Sequence, residues 1–344
     1  MGAEAAAGRT VAVFGAYGHT GRFVVEELIA RGFVPLLSGR DAVRLKAMAV
    51  EYDVEARPAS VDDPVSLDRA LAGAAAVINC AGPFATTAAP VIEAALRARI
   101  PYLDVAAEIE ANADTFAHFA DRARAAGVPV VPAMAFYGGL GDLLTTAAMG
   151  EWTAADEAHV AYGLNSWHPT PGTRIAGEVS RGRRVRFSGG RLEYRDDAAP
   201  VLEWVFPEPM GAREVIGEFT MADVVTVPSH LSIPEVRTYM TVAAARDLSA
   251  PETPAPVAAD GDGAGRSAQT FVVDVVVRSG GAERRAVARG RDIYAVTAPL
   301  VVEAAERVLT GRTEVGSGVV SAGEMFDAAD FLRALAGHVT VELP

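Results

Sequence analysis

The stretch VAVFGAYGHTGRFVVEELIARGF (residues 11–33) determines how the first part of the chain is expected to fold. It opens with a short uncharged run, VAVF, which is typical of a buried β-strand. Gly15, Gly18 and Gly21 follow at intervals of three residues, and apolar residues at helical spacing come after them. A strand that passes through such glycines directly into a helix is the context in which this spacing binds a dinucleotide.

Each glycine has a physical reason to be there. Gly15 allows a sharp turn, Gly18 leaves room for a pyrophosphate, and Gly21 lets the helix lie close to the strand. The helix N-terminus offers free N–H groups and a partial positive charge to phosphates. The alternative is a tight strand-to-helix turn that holds no ligand. The predicted phosphate turn comprises Gly15, Tyr17, Gly18, His19, Thr20 and Gly21.

Short apolar runs alternate with amphipathic segments through the first 135 residues. This alternation predicts an α/β fold, a doubly wound parallel sheet of the Rossmann type whose strands are joined by right-handed crossovers. Beyond residue 135 most segments resemble strands, and two Ser-Gly-Gly stretches suit hairpin turns. That part is expected to be a mostly antiparallel sheet with few helices. Its segment 247–268, rich in Pro, Ala, Gly and Asp, is predicted to be a mobile loop.

We therefore expect two domains. Residues 1–135 plus 290–344 would form the dinucleotide-binding domain, and residues 136–289 an α+β domain for substrate binding and dimerisation. A helix from about Tyr294 to Leu309 and the amphipathic tail AADFLRALAG are expected to pack back on the first domain. An exposed antiparallel sheet would also suit a homodimer.

The end of the second predicted strand, LLSGRD, indicates which nucleotide binds. An NAD site has an Asp or Glu there to accept hydrogen bonds from the ribose hydroxyls. Here Ser38, Gly39 and Arg40 occupy the place, and a guanidinium suits a 2′-phosphate. Asp41 argues for NAD, but it is better explained as the cap of the next helix. We therefore predict NADP(H), with Arg40 as a solvated loop residue as the alternative.

The stretch NCAGPF, after the fourth predicted strand, places small residues where the nicotinamide half of the cofactor would pass. Cys80 is expected there as a small buried side chain, because no histidine that could activate it is close in sequence. Asp62, just before a predicted Asp63–Pro64 helix start, joins the candidates. The cofactor-binding prediction for this region comprises Asp62, Cys80, Ala81, Gly82 and Pro83.

Composition excludes several classes of function. The formal net charge of −13 argues against a nucleic-acid partner. A single cysteine excludes an internal disulfide and a structural zinc cluster, and no residues have the spacing of a metal site. No apolar run is long enough to span a membrane, and the first residues lack the pattern of a signal peptide. A cytoplasmic protein without a membrane partner is expected.

The short-chain dehydrogenases are disfavoured because the only lysine, Lys46, lacks a tyrosine four residues before it. Six stretches spread along nearly the whole chain point to another family: VFGAYGHTGRFVVEEL, LLSGRD, VINCAGPF, YLDVAAE, GGLGDLL and DIYAVTAPLVVEAAERVL. In sequence and in order they resemble motifs of the saccharopine dehydrogenase-like oxidoreductases, including the trans-acting enoyl reductase branch. The resemblance implies an N-terminal NADP-binding Rossmann domain, an inserted α+β domain, and a C-terminal helix that returns to the first domain.

If NADPH binds, the expected reaction is hydride transfer to a C=N or activated C=C bond of a small or carrier-bound metabolite. The candidates for moving a proton are Asp104, Glu108, Tyr137 and His168, and Trp167 and Arg174 could close over the substrate. Each has a structural alternative: the two acids could cap or pair with arginines, Tyr137 could pack, and His168 could be a loop residue. The run Arg181, Arg183, Arg184 and Arg186 is expected to be a solvated strand face, although it could attract an acyl carrier or a carboxylate.

Two other functions stay open from the sequence. The chain could bind NADP without turnover, as a redox sensor or assembly partner, or its glycine turn could hold no ligand.

Overall fold

The computed structural model describes residues 8–179 and 184–344, which form two compact units. The first unit contains residues 8–135 and Thr297–Phe326, and the second contains Phe136–Val296 and Asp327–Pro344. No helix within the described ranges is long and apolar enough to cross a membrane.

The secondary structure is numbered in chain order. The strands are β1 (Thr10–Phe14), β2 (Val34–Gly39), β3 (Ala56–Pro58), β4 (Ala76–Asn79), β5 (Tyr102–Asp104), β6 (Pro129–Val131), β7 (Glu157–Leu164), β8 (Arg184–Ser188), β9 (Arg191–Arg195), β10 (Val201–Phe206), β11 (Gly211–Gly217), β12 (Glu235–Thr241), β13 (Thr270–Ser279), β14 (Ala282–Arg291), β15 (Gly318–Val319) and β16 (Val339–Glu342). The helices are α1 (His19–Ala30), α2 (Ala42–Tyr52), α3 (Pro64–Leu71), α4 (Phe84–Ala98), α5 (Ile109–Ala126), α6 (Gly141–Met149), α7 (Pro171–Val179), α8 (Asp223–Thr226), α9 (Val242–Ser249), α10 (Thr297–Thr310), α11 (Ala322–Met325) and α12 (Ala328–Ala334).

The sheet of the first unit is parallel, with the order β15-β6-β5-β4-β1-β2-β3. This is the Rossmann order, and its topological switch point lies between β1 and β4. The central strands are apolar because both faces are covered: β1 is buried from Val11 onward, and β4 is buried throughout. The predicted doubly wound sheet is confirmed.

The helix α10 returns to the first unit and packs on α1. The Arg31 side chain, at the end of α1, forms ion pairs with Glu27, Glu303 and Glu306. These groups are mostly buried, so the ion pairs join the late helix to the early part of the chain. The expected return of a C-terminal helix is therefore observed.

The second unit is built on a mixed sheet, with the order β10-β11-β12-β7-β13-β14-β16 and the β8–β9 hairpin attached to β12. The pair β7–β12 is parallel, and the other pairs are antiparallel. The strand β13 is buried from Phe271 to Val277, and α6 packs against β13 and β14. The expected mostly antiparallel sheet is present, with one parallel pair that the sequence did not indicate.

The boundary of the units differs from the expected 290–344. Residues 290–296, which include the end of β14 and the turn after it, belong to the second unit. The tail also belongs there, because α12 packs on α6 and β16 pairs with β14. An amphipathic helix needs an apolar surface to cover, but its own sequence does not say which surface that is.

The segment 247–268 begins inside α9 and is irregular from residue 250. The Asp262 carboxylate accepts a hydrogen bond from the Arg266 backbone N–H at 2.6 Å and forms ion pairs with Arg266 and Arg291, both at 2.9 Å. These contacts tie the middle of the segment to β14. Its mobility stays a prediction.

Candidate functional site

The glycine turn lies at the switch point of the parallel sheet, between the end of β1 and the start of α1. Gly15 has φ +85°, and a Cβ there would lie 2.8 Å from the backbone nitrogen of Ala81. Its own N–H donates to the Ser38 carbonyl at 2.8 Å. Gly15 is therefore required by the close approach of the ends of β2 and β4, whether or not a ligand binds.

Gly21 and Gly18 serve different purposes. A Cβ on Gly21 would lie 2.3 Å from the Gly15 carbonyl oxygen and 2.8 Å from that of Ala16, so α1 could not sit where it does. A Cβ on Gly18 would meet only the Gly15 oxygen, at 3.1 Å, and Gly18 has an extended backbone that other residues adopt. Packing thus explains Gly21 but not Gly18. The missing side chain at Gly18 leaves open the surface that a pyrophosphate would use.

The N-terminus of α1 also differs from those of the neighbouring helices. At α2 and α3 the carboxylates of Asp41 and Asp63 each accept hydrogen bonds from two backbone N–H groups of the first turn. At α1 the capping residue is Gly18, and no side chain in the described part of the chain caps it. Tyr17, His19 and Thr20 flank it and are half-buried. The positive end of α1 is accordingly available to an anion.

At the end of β2, Ser38 is buried and its hydroxyl donates to the Arg57 carbonyl at 2.9 Å. Ser38 is thus engaged with β3, which leaves its predicted cofactor contact without support from the geometry. Gly39 has φ +152°, and a Cβ there would lie 2.8 Å from the Tyr17 ring. Tyr17 thus covers the end of β2, and its hydroxyl accepts the Asp41 N–H at 3.3 Å.

Two arginines lie beside this strand end. Arg40 is exposed directly after β2. The Arg44 guanidinium lies over the Tyr17 ring, 4.6 Å from its centroid, and donates to the Tyr17 carbonyl at 3.2 Å. Sequence reasoning missed Arg44: its closeness to Arg40 in the chain was visible, but its contact with Tyr17 was not. Asp41 is the helix cap that was expected.

Asp62 is exposed in the turn after β3, and its N–H donates to the Ser60 hydroxyl at 3.3 Å. Because β3 is parallel to β2, this turn belongs to the same edge of the sheet as the glycine turn.

After β4, the backbone is held by Asn79. Its side-chain oxygen accepts the Ala81 N–H at 3.0 Å, and its amide donates to the Tyr102 hydroxyl at 3.2 Å. The Cys80 N–H donates to the Phe14 carbonyl at 2.7 Å, which joins the ends of β4 and β1. Burial raises the pKa of the Cys80 thiol far above its usual range, so it is a poor nucleophile at neutral pH. Gly82 and Pro83 follow, joined by a cis peptide bond.

The two acids after β5 are engaged in the fold. One Asp104 oxygen accepts the Ala106 and Ala133 N–H groups at 3.0 and 2.8 Å, and the other accepts the Tyr102 hydroxyl at 2.8 Å. Burial raises the pKa of Asp104 to about 6.

Glu108 is also buried, and its carboxylate accepts the first two N–H groups of α4, those of Phe84 and Ala85, at 2.8 and 2.9 Å. Both acids therefore hold strand-end loops in place. This corresponds to the structural alternative considered for them.

The remaining catalytic candidates, Tyr137 and His168, belong to the second unit. Tyr137 lies in an irregular turn before α6, and its ring centroid is 4.8 Å from that of Phe136, 4.9 Å from Tyr162 and 5.3 Å from Trp167. Its hydroxyl is buried and has no hydrogen-bond partner among the described residues. Burial raises the pKa of Tyr137 well above its usual value.

The loop that carries Trp167 is fixed by several hydrogen bonds. The Trp167 indole N–H donates to the Tyr294 hydroxyl at 3.1 Å, and Tyr294 is also 2.9 Å from the Thr173 hydroxyl. The backbone N–H of His168 donates to the Gln269 side chain at 2.8 Å, and the ring of His168 is half-buried. Arg174 donates to the Thr253 carbonyl at 2.6 Å, so it holds the segment after α9.

A buried acid that sequence reasoning missed lies beneath this aromatic cluster. The Tyr162 hydroxyl lies 2.9 Å from both carboxylate oxygens of Asp223. A Cβ on Gly141 would lie 2.0 Å from that carboxylate, which explains the glycine in the GGLGD stretch. Burial, with a contribution from Asp142, raises the pKa of Asp223 to about 7. Tyr162 and Asp223 are 61 residues apart in the chain, so no local pattern could have joined them.

Of the arginine run, the structure describes Arg184 and Arg186. Arg184 and Arg186 both pair with the buried Glu218, at 2.7 and 2.9 Å. Arg181 and Arg183 lie outside the described residues. Across residues 8–179 and 184–344, no group of three or more His, Cys, Asp or Glu side chains could hold a metal ion.

Residues 11–131 match the model of the saccharopine dehydrogenase NADP-binding domain. The first domain is therefore similar to that family over its phosphate turn and its strand ends. The resemblance inferred from the motifs is thereby confirmed, and the match supports a nicotinamide dinucleotide cofactor. The family match ends at the last strand before the second unit, so it covers the phosphate turn and the strand ends but not Tyr137 or His168.

Two individual proteins are similar to this chain, one in sequence and one in fold. A probable mitochondrial saccharopine dehydrogenase-like oxidoreductase of Arabidopsis thaliana is 30% identical over 141 residues, which is 36% of this chain and 31% of that protein. The aligned region thus spans under a third of the length of this relative. The saccharopine dehydrogenase (L-glutamate forming) of Saccharomyces cerevisiae, in its apo form, has a similar fold, with a TM-score of 0.67 at 12% identity over 98% of this chain and 100% of that one. This likeness concerns the fold alone.

Proposed function

We propose that this protein is an NADPH-dependent oxidoreductase of the saccharopine dehydrogenase-like type, which transfers hydride to a C=N or activated C=C bond of a small or carrier-bound metabolite. The observation that carries the proposal is the glycine turn. It lies at the topological switch point of the parallel sheet, and packing leaves Gly18 unexplained. The adjoining helix N-terminus is uncapped among the described residues, whereas its neighbours have carboxylate caps. Cofactor phosphates would satisfy both features.

The preference for NADPH over NADH rests on the end of β2. The place where an NAD site needs an acid is occupied by Gly39 and Arg40, and Asp41 is committed to capping α2. Arg40 and Arg44 can both reach toward a 2′-phosphate at this edge, and the Tyr17 ring holds Arg44 in place. We assign the 2′-phosphate to these two arginines.

The nicotinamide supplies the hydride, and the protein binds, orients and protonates. Asp104 and Glu108 are poor proton donors in this scheme, because their oxygens already accept hydrogen bonds that hold the strand-end loops. They would act by positioning the loops that follow β4 and β5. Tyr137 and His168 remain the candidates for contact with a substrate.

The cofactor assignment is tested by fluorescence titration of the purified protein with NADPH and with NADH. Replacing Arg40 or Arg44 by Ala should raise the Kd for NADPH about 10- to 150-fold, as expected for a lost charged hydrogen bond of about 1.5–3 kcal/mol, and leave NADH nearly unchanged. Lys46→Ala is the matched control, since it removes an exposed charge from the same helix.

Equal losses for both nucleotides would contradict the 2′-phosphate assignment, and no binding of either by the wild type would contradict the oxidoreductase itself. Tight NADPH binding, without oxidation of NADPH by any imine or enoyl thioester offered, would instead indicate an NADP-binding protein without turnover.

A further inference from the structure

Among the four catalytic candidates, Tyr137 is the one whose polar atom is buried without a hydrogen-bond partner in the described residues. The side chain is 8% exposed, and its oxygen has no hydrogen-bond partner in the described ranges. Folding normally pairs such groups, because a buried hydroxyl without a partner loses its bonds to water and gains nothing in return. An unpaired buried hydroxyl is explained if a bound ligand supplies the missing hydrogen-bond partner.

The surroundings of Tyr137 restrict the chemistry of such a ligand. The rings in contact with it, Phe136, Tyr162 and Trp167, carry no charge. The nearby acid is Asp223, whose carboxylate is already engaged by Tyr162. An anion among these uncharged rings would lose its hydration, so a neutral acceptor is favoured.

Trp167 fixes the position of the Tyr137 ring. Its indole N–H donates to the Tyr294 hydroxyl at 3.1 Å, and its ring lies 5.3 Å from that of Tyr137 at a tilt of 36°. Only 4% of Trp167 is exposed, so it closes the surroundings of Tyr137 on that side. The Tyr137 hydroxyl is therefore held in one place by its aromatic neighbours.

We propose that the Tyr137 hydroxyl donates a hydrogen bond to a neutral carbonyl-type acceptor of the substrate, such as a thioester, amide or ketone. This inference rests on the proposed function and names the substrate class for it. Carboxylate substrates are disfavoured at this position. Burial raises the pKa of Tyr137 well above its usual value, so the phenol stays protonated at neutral pH and can donate this hydrogen bond.

The first test needs no ligand. Tyr137→Phe removes an unpaired hydroxyl, so the apo protein should keep its Tm or gain a few degrees. Tyr162→Phe is the matched control, because it removes a hydroxyl bonded to Asp223 and should lower Tm by about 2–4 °C or more. Equal losses in the two variants would show that Tyr137 has a structural partner, and the inference would be overturned.

The second test uses isothermal titration calorimetry on the protein loaded with NADP⁺. The probes are the crotonyl thioester of N-acetylcysteamine, which is neutral, and crotonate, its charged counterpart. The thioester should bind the wild type, and Tyr137→Phe should weaken it about 3- to 10-fold, the usual range for one neutral hydrogen bond. Tyr194→Phe, a change at an exposed tyrosine, should have no effect.

Three results would overturn the assignment of a neutral acceptor: crotonate binds as tightly as the thioester, Tyr137→Phe leaves the affinity for the thioester unchanged, or neither probe binds. Failure of the proposed function is seen separately, as the absence of calorimetric NADP⁺ binding by the wild type. In that case the Tm comparison still decides whether the Tyr137 hydroxyl is unpaired.

Discussion

Gly18 and Gly21 lie three residues apart in one turn, and alanine at each should have opposite consequences. Gly21→Ala places a methyl group 2.3 Å from the Gly15 oxygen and 2.8 Å from the Ala16 oxygen. Both are backbone atoms, which cannot swing aside as a side chain would. Gly18→Ala places its methyl 3.1 Å from the Gly15 oxygen, and the φ of −69° at Gly18 is one that alanine adopts freely.

These distances set the expected sizes. Overpacking of a rigid contact costs about 1–3 kcal/mol, and the 2.3 Å approach at Gly21 belongs at the upper end, so Gly21→Ala should lose about 3 kcal/mol of unfolding free energy. At Gly18 a contact needs to relax by only a few tenths of an ångström, but alanine is a clearly poorer N-cap than glycine. The cost should be about 1 kcal/mol.

Gly18→Ala should weaken cofactor binding although it has only a small effect on stability. A methyl group on the surface that faces the pyrophosphate should weaken binding at least about 10-fold, or roughly 1.4 kcal/mol. The pyrophosphate is common to NADPH and NADH, so both should weaken together, unlike the selective loss expected from Arg40→Ala. Urea unfolding and fluorescence titration of the same preparations measure the two effects.

The outcome that would refute this reasoning is a Gly18→Ala protein that binds both nucleotides like the wild type. In that case the bare backbone at Gly18 would have no ligand to accommodate, and the turn would be only a tight connection.

Three further changes test other parts of the structure. Asp223 has a pKa of about 7 in the folded protein and about 4 in the unfolded chain, so its contribution to stability is complete below pH 4 and is lost as the pH rises to 7. The difference in unfolding free energy between wild type and Asp223→Asn, measured by urea titration, should therefore fall by about 3 kcal/mol between about pH 4.5 and pH 8. A difference that does not change with pH would contradict the burial of Asp223. Glu108→Gln presents an amide N–H₂ where the first turn of α4 needs an acceptor, so it should lower the free energy of unfolding in urea by about 1.5–3 kcal/mol. An unchanged midpoint of urea unfolding would count against the role of Glu108 as a cap. Arg31→Leu removes the ion pairs between α1 and α10 and should lower the free energy of unfolding by about 1–3 kcal/mol. Limited proteolysis of this variant should release α10 first. A proteolysis pattern like that of the wild type would argue against the role of these pairs.

Sequence alone was sufficient where the determinants are local. The glycine spacing, the alternation of strand and helix, and the caps at Asp41 and Asp63 each depend on residues within a few positions of one another, and the structure contains all of them. The assignment of Asp41 to the helix rather than to a ribose followed from the same kind of reasoning, because an N-cap is recognised from the residues immediately after it.

What failed depends on contacts between distant segments. The tail 327–344 shows an amphipathic pattern, but the surface it covers is set by the pairing of β16 with β14. Asp223 has no motif around it, and only the fold brings it to Tyr162. Arg44 is intermediate, since its spacing from Arg40 was visible but its place over the Tyr17 ring was not.

The hydrogen bonds in the structure distinguish the two acidic candidates from Tyr137 as possible substrate contacts. From sequence, Asp104, Glu108 and Tyr137 are equivalent, being polar residues expected near the ends of buried strands. In the structure the two acids already have the partners that a buried carboxylate requires, so a substrate would have to compete with backbone N–H groups for them. The Tyr137 hydroxyl has no such competitor among the described residues. A ligand that bonds to it gains a hydrogen bond without breaking one, and this is why Tyr137 is the better place to look for the substrate.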